Sequence, residues 1–191
     1  MLSHNHGDHA DGASKMEALG ATVIISAEDR ENLARQPNQK WLPKMTYTHF
    51  AQIFLGGHEV QLFEFRGHTR GDTVVYFPAD RVVVLGDLMT SVPQIPWMVN
   101  YGDGGSWIDW EKSMNEILKL DFDIAVPGHG PSLTRAELIK LRDKYVTLRE
   151  RVRTLVREKK SIDEIKTAML AEFEWGLPAA NTLPGMMQEL R

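Results

Sequence analysis

The sequence predicts an α/β fold that ends in a helical region, and three observations carry that prediction. β-branched runs alternate with helix-period segments in the first third of the chain. Strand-type runs separated by glycine and proline turns fill the centre. The stretch 133–191 is dominated by N-capped amphipathic segments. At 191 residues the chain has the length of one ordinary domain, able to bury a core without disulfides. No linker or internal repeat divides it, so residues 1–191 are expected to form a single unit with 133–191 as its C-terminal helices.

Taken in order, residues 13–19 are expected to form a short helix, and 21–26 (ATVIIS) a strand, because β-branched side chains suit a pleated surface. Ser26 is available as N-cap of a helix over 27–35. Residues 36–52 hold Pro37 and Pro43 and show no period, so they are expected to be a surface loop. Runs 53–55 and 58–65 flank Gly56-Gly57, the pattern of a hairpin with a tight turn. Two more strands, 73–77 and 81–85, are separated by Pro78-Ala79-Asp80. Residues 88–106 are expected to be a long loop, rich in proline and glycine and bearing Trp97 and Tyr101. Ser106 with Asp109 opens a helix over 107–120, and 124–126 is a short strand. Thr134 with Glu137 opens a helix to about residue 160, and Ser161 with Glu164 opens the last, to about residue 173. Leu138, Leu141, Tyr145, Leu148, Val152 and Leu155 give the longest helix one apolar face.

Composition narrows the chemistry. The chain is 42% hydrophobic and 25% charged with a net charge of −4, which lacks the basic excess of a nucleic-acid binder. It contains no cysteine, so any metal must be held by His, Asp or Glu. No apolar stretch approaches the ~20 residues of a membrane span, and the N-terminus has no signal-peptide pattern. The expected setting is therefore cytoplasmic, with no nucleic-acid or membrane partner and a small molecule as substrate.

The segment His4-Asn5-His6-Gly7-Asp8-His9 places four potential ligands in six residues. Imidazole nitrogens and carboxylate oxygens are the donors zinc takes when thiolates are absent, and four so close together invite a pair of ions rather than one. Small Gly7 is expected to let the backbone turn sharply between them. A loosely metal-binding His-rich tail would look similar, but such tails do not continue as Ala10-Asp11-Gly12. Further candidates lie beside glycines where strands end: His68, Asp87 and His129. Trp97, Met98, Tyr101 and Trp107 could offer aromatic and apolar surface to a substrate, or pack the loop onto the domain.

Read in order, HNHGDH, GHTRG, LGDL and PGHG resemble the metallo-β-lactamase superfamily, whose signature is HxHxDH, GHTxG, GD and PGHG; the resemblance covers residues 1–132. It implies an αββα sandwich. It further implies that His4, His6 and His68 hold one metal ion, that Asp8, His9 and His129 hold the other, and that Asp87 bridges them. The ions would be zinc, two per chain, with Fe2+ or Mn2+ as alternatives. The function implied is hydrolysis of an ester, thioester, lactone or related small substrate by a bridging hydroxide that Asp8 helps orient. His49 and His58 fall outside the pattern.

Family members ordinarily carry several strands before HxHxDH, whereas here only Met1 to Ser3 precede it, so the resemblance implies an N-terminally truncated form of the sandwich. A sheet edge left uncovered in this way predicts a homo-oligomer. A bridging Asp87 is usual in thioesterase-, lactonase- and phosphodiesterase-like members and is not the usual ligand in true β-lactamases. Two other readings stay open: a mononuclear iron persulfide-dioxygenase-like oxidoreductase using His4, His68 and Asp87, and a truncated metal-binding protein without catalysis.

Overall fold

A computed structural model of the chain describes residues 1–91, 99–176 and 182–191. Its N-terminal part holds α1 (Gly7–Ala10), α2 (Ala13–Ala18), β1 (Ile24–Ser26), α3 (Ala27–Ala34) and β2 (Met45–Tyr47). The centre holds β3 (Phe50–Leu55), β4 (His58–Phe65), β5 (Asp72–Phe77) and β6 (Val82–Thr90). A 3-10 turn at Tyr101–Asp103, α4 (Trp107–Ile117), β7 (Ile124–His129) and β8 (Leu133–Thr134) follow. The chain ends in α5 (Arg135–Arg157), α6 (Ile162–Phe173) and α7 (Leu183–Glu189).

Two sheets result. β1 and β2 pair in parallel, and β3 to β8 form a six-stranded sheet in sequence order, antiparallel throughout except for the parallel pair β6·β7. Alternation along the strands divides the core. Val74, Tyr76, Val83, Leu85 and Ala125 face α4 to α7 in the largest apolar cluster, while Leu62, Val75 and Val84 face Ile24 and Tyr47 of the small sheet. On that small sheet Ile25 points the other way, joining Leu33, Ala10 and Ala13 under the N-terminal helices. Period-2 side-chain alternation thus builds four layers, helix, sheet, sheet and helix, and this is the αββα arrangement expected from the sequence.

Local chemistry fixes most elements where the sequence put them. Ser26, Ser106, Thr134 and Ser161 each accept a hydrogen bond from the backbone N–H three residues on, and the last two form complete capping boxes with Glu137 and Glu164. Each such cap contributes about 1 kcal/mol. Gly56 and Gly57 have φ of 60° and 84°, the left-handed pair that a tight two-residue hairpin turn requires.

Several expectations are corrected. The stretch 36–52 is not wholly loop: it contains β2 and the start of β3. β2 exists because it pairs with β1, whose residues lie 21 positions before their partners (Ile24 with Met45) and which no local period reveals. β6 runs on through Asp87 to Thr90, with register shifts against β7 around Gly86, so Asp87 sits in an irregular strand segment rather than after a strand end. Gly7 is the first residue of α1 and makes no sharp turn; the chain turns at His6, whose extended backbone (φ −69°, ψ 149°) leads into the helix. Trp107 is fully buried, against Trp110 and Trp175, so it belongs to the core and not to a substrate surface. α7 was not expected: LPGMMQE contains Pro184 and Gly185, and it is helical because Leu183 and Met186 anchor it in the core, with Leu190 just beyond. No helix among the described residues is long and apolar enough to cross a membrane.

Candidate metal centre

β4 and β6 both run antiparallel to β5, and β7 runs parallel to β6, so the C-terminal ends of β4, β6 and β7 lie at one end of the large sheet. His68 follows β4, Asp87 lies near the end of β6, and His129 is the last residue of β7. Residues 4–9 cross the same end: Leu2 N donates to Ile24 O at 2.9 Å and Thr73 N donates to Ser3 O at 2.6 Å, which ties the segment to both sheets. All seven residues predicted as ligands therefore meet in one place.

They meet as two groups. In one, His4, His6, His68 and Asp87 each offer a donor atom within 4.8 Å of the others; in the second, Asp8, His9 and His129 do the same. Asp87 faces both. Its Oδ2 lies 3.9 Å from His4 Nε2 and 3.8 Å from His68 Nε2, and its Oδ1 lies 3.3 Å from His9 Nε2 and 3.5 Å from His129 Nε2. In the second group Asp8 Oδ2 is 3.1 Å from His129 Nε2 and 3.4 Å from His9 Nε2. His6 turns Nδ1 inward, 3.0 Å from His68 Nε2.

These residues fit metal ions. Donors around a tetrahedral zinc at ~2.0–2.1 Å stand about 3.4 Å from one another, close to the spacings here. His4 Nε2 and Asp87 Oδ1 are buried without a hydrogen-bond partner, which is costly unless something else accepts their lone pairs. The protonation states agree. Burial, reinforced by neighbouring His68, depresses His4 to about 2, so it stands neutral with a free lone pair. Burial alone would raise Asp87, but His9 and the imidazoles of His68 and His4 outweigh it and bring it down to about 2, so it stands ionised. His9 Nε2 lies 3.3 Å from Asp87 Oδ1, and this contact chiefly pulls His9 above its ordinary value.

The outer nitrogens are held as well. Ser3 Oγ lies 3.1 Å from both His4 Nδ1 and His9 Nδ1, linking one imidazole of each group. His6 Nε2 lies 2.9 Å from Asp103 Oδ2, and Asn5 and Asn100 also donate to that oxygen. A carboxylate on the far nitrogen fixes a ligand's tautomer and raises its basicity. The sequence reading missed Asp103 and Ser3, and nothing in their local spacing distinguishes them.

Tyr101, expected to meet substrate, lines the cavity in front of the histidines and donates from its hydroxyl to Glu189 Oε2 at 2.7 Å. Trp97 lies outside the described residues. His49 is exposed at a turn and His58 is exposed in β4, both away from the centre.

The profile of the metallo-beta-lactamase superfamily matches residues 1–129. The chain belongs to the metallo-beta-lactamase superfamily. This superfamily member is 25% identical over 140 residues to the 2,4-dinitroanisole O-demethylase subunit alpha of Nocardioides sp. (strain JS1661), covering 72% of this chain and 42% of that one. It is 31% identical over 88 residues to the hydroxyacylglutathione hydrolase of Maricaulis maris (strain MCS10), covering 46% of this chain and 32% of that one. The chain thus spans less than half the length of these two curated relatives. In structure it is similar to a metallo-beta-lactamase from Pontibacter korlensis, with a TM-score of 0.64 at 22% identity over 74% of this chain and 67% of that one.

Proposed function

We propose that this chain is the metal-binding portion of a hydrolase that uses two zinc ions to cleave an ester, thioester, lactone or related small substrate. The observation that carries the reading is Asp87, whose two oxygens each face a separate set of imidazoles. A carboxylate so placed is what a pair of ions requires and what a single ion does not. His4, His6 and His68 would hold one ion and Asp8, His9 and His129 the other. When bound, the ions supply Lewis acidity and lower the pKa of water towards neutrality. The chain's own part is to position the donors and to keep the Asp8 carboxylate, which lines the pocket, beside the attacking water. Superfamily relatives named as hydrolases support the reading.

The mononuclear iron alternative needs only His4, His68 and Asp87. It leaves the gathering of His9 and His129 on Asp87 Oδ1 without a purpose. Metal content, measured by plasma mass spectrometry on protein purified without chelator or affinity tag, separates the two. Two zinc per chain, falling to one in the Asp8→Ala, His9→Ala double variant, is the expected result. One iron and no zinc would overturn the proposal.

A further inference from the structure

The metal centre opens into a cavity of about 870 Å³, large enough for a small organic substrate. Beyond the ligands, its walls are formed by Gln36, Thr90, Val99, Asn100, Tyr101 and Thr182. Every polar group in that set is an amide or a hydroxyl. Tyr101 stays protonated, because burial and its neighbour Glu189 raise it above the ordinary phenol range. Thr90 lines the cavity with its hydroxyl oxygen itself buried. The arginines of adjoining elements are committed elsewhere: Arg35 and Arg70 to Glu31, Arg70 also to Glu28, and Arg66 to Asp109. The stretches 92–98 and 177–181, outside the described residues, contain neither lysine nor arginine, so neither supplies a cation.

We infer that the pocket is built for an uncharged substrate: a neutral carbonyl compound with an apolar body and its reacting group at the metal centre. The inference rests on the hydrolase reading above and narrows it. An anionic group remote from the reacting carbon would leave water for a wall whose described residues offer it no counter-charge, and desolvating an unpaired carboxylate is far more costly than desolvating an ester or lactone oxygen. Thioesters whose acyl carrier bears free carboxylates, and β-lactams with a ring carboxylate, are disfavoured on this ground.

The test uses the full chain loaded with Co2+, whose visible spectrum reports on ligands at the metal, and two hydroxamates that share one chelating head. Benzohydroxamate has a neutral tail, and 4-carboxybenzohydroxamate places a carboxylate at the far end. Binding of the neutral compound at least about tenfold tighter, with the gap narrowed in Gln36→Arg through a gain for the anionic compound, is the expected result. Equal affinity, or a preference for the anion in the unaltered protein, overturns the inference and leaves the metal reading intact. Failure of the chain to take up Co2+ at all removes the metal reading, and the inference falls with it; uptake with no response to either compound overturns the inference alone. Hydrolysis of 4-nitrophenyl pentanoate against mono-4-nitrophenyl glutarate repeats the comparison in turnover, with the neutral ester expected to have the higher kcat/KM.

Discussion

A Cβ added to Gly128 would fall 1.9 Å from Asp87 Oδ1, so the glycine before His129 makes the space that the Asp87 carboxylate occupies. The backbone of Gly86 and Asp87, 2.8 to 3.0 Å from the same point, leaves little room for relief. Gly128→Ala must therefore displace either Asp87 or the end of β7. The expected outcome is loss of at least one bound metal per chain, with the metal-free protein still folded by circular dichroism and destabilised by about 1–3 kcal/mol. Full metal content and unaltered affinity in this variant would show that Asp87 does not bridge.

Asp103 gives a second prediction. Removing the carboxylate that holds His6 Nε2 in Asp103→Ala is expected to weaken the ion on the His4, His6 and His68 side by about 10–100-fold in chelator competition. Asp103→Asn, which keeps a carbonyl acceptor, should recover part of that loss. If both variants bind metal as the unaltered chain does, Asp103 does not position His6.

The two half-sites should part company as pH falls. A metal ion needs a neutral imidazole, and His9 is raised above the ordinary 6.5 chiefly by Asp87, so its neutral form is lost first on acidification. His4, depressed to about 2 by burial, stays neutral far below that. Dialysis at stepped pH from about 8 to 5 is expected to release the ion on Asp8, His9 and His129 before the other. Simultaneous release of both ions would contradict the assignment.

Beneath His68 lies a buried pair of acids, and it predicts a stabilising substitution. Thr69 Oγ1 is 2.8 Å from Asp29 Oδ2 and 2.7 Å from Asp72 Oδ1, yet a hydroxyl has one hydrogen to give. Burial raises Asp29 to about 6 and raises Asp72 as well. Because the folded value lies above the unfolded one, the proton's contribution to stability is present at low pH and is lost as pH rises from about 4 through 6. In Asp29→Asn the introduced amide supplies the missing donor to Thr69. Denaturation of the metal-free chain is expected to show a gain of about 1–3 kcal/mol at pH 7.5 and little gain at pH 5. Destabilisation at pH 7.5 would mean that Asp29 is held ionised by something other than this network.

The gathering of these seven side chains was legible in the sequence because His and Asp at HxHxDH spacing, with glycine beside the remote members, leave a mark that no packing requirement produces. The layers were legible because strand alternation and helix capping are local. Asp103 and β2 were not, since each acquires its role from a partner brought near only by the fold: His6 lies 97 residues from Asp103, and Met45 to Tyr47 form a strand only beside Ile24 to Ser26. α7 was hidden for the opposite reason, because Pro184 and Gly185 argue locally against the helix that core burial of Leu183 and Met186 imposes.

Glu189 accepts hydrogen bonds from Tyr101 Oη and from the Ser106 hydroxyl and Trp107 backbone at the start of α4. It is made 88 residues after Tyr101. At a translation rate of about 5–20 residues per second, roughly 4 to 18 s separate the two on the ribosome. Through that interval Tyr101 lacks its tether. The cavity wall at Tyr101 is therefore completed only by the last helix, after His4, His6, Asp8, His9, His68, Asp87 and His129 have all been made.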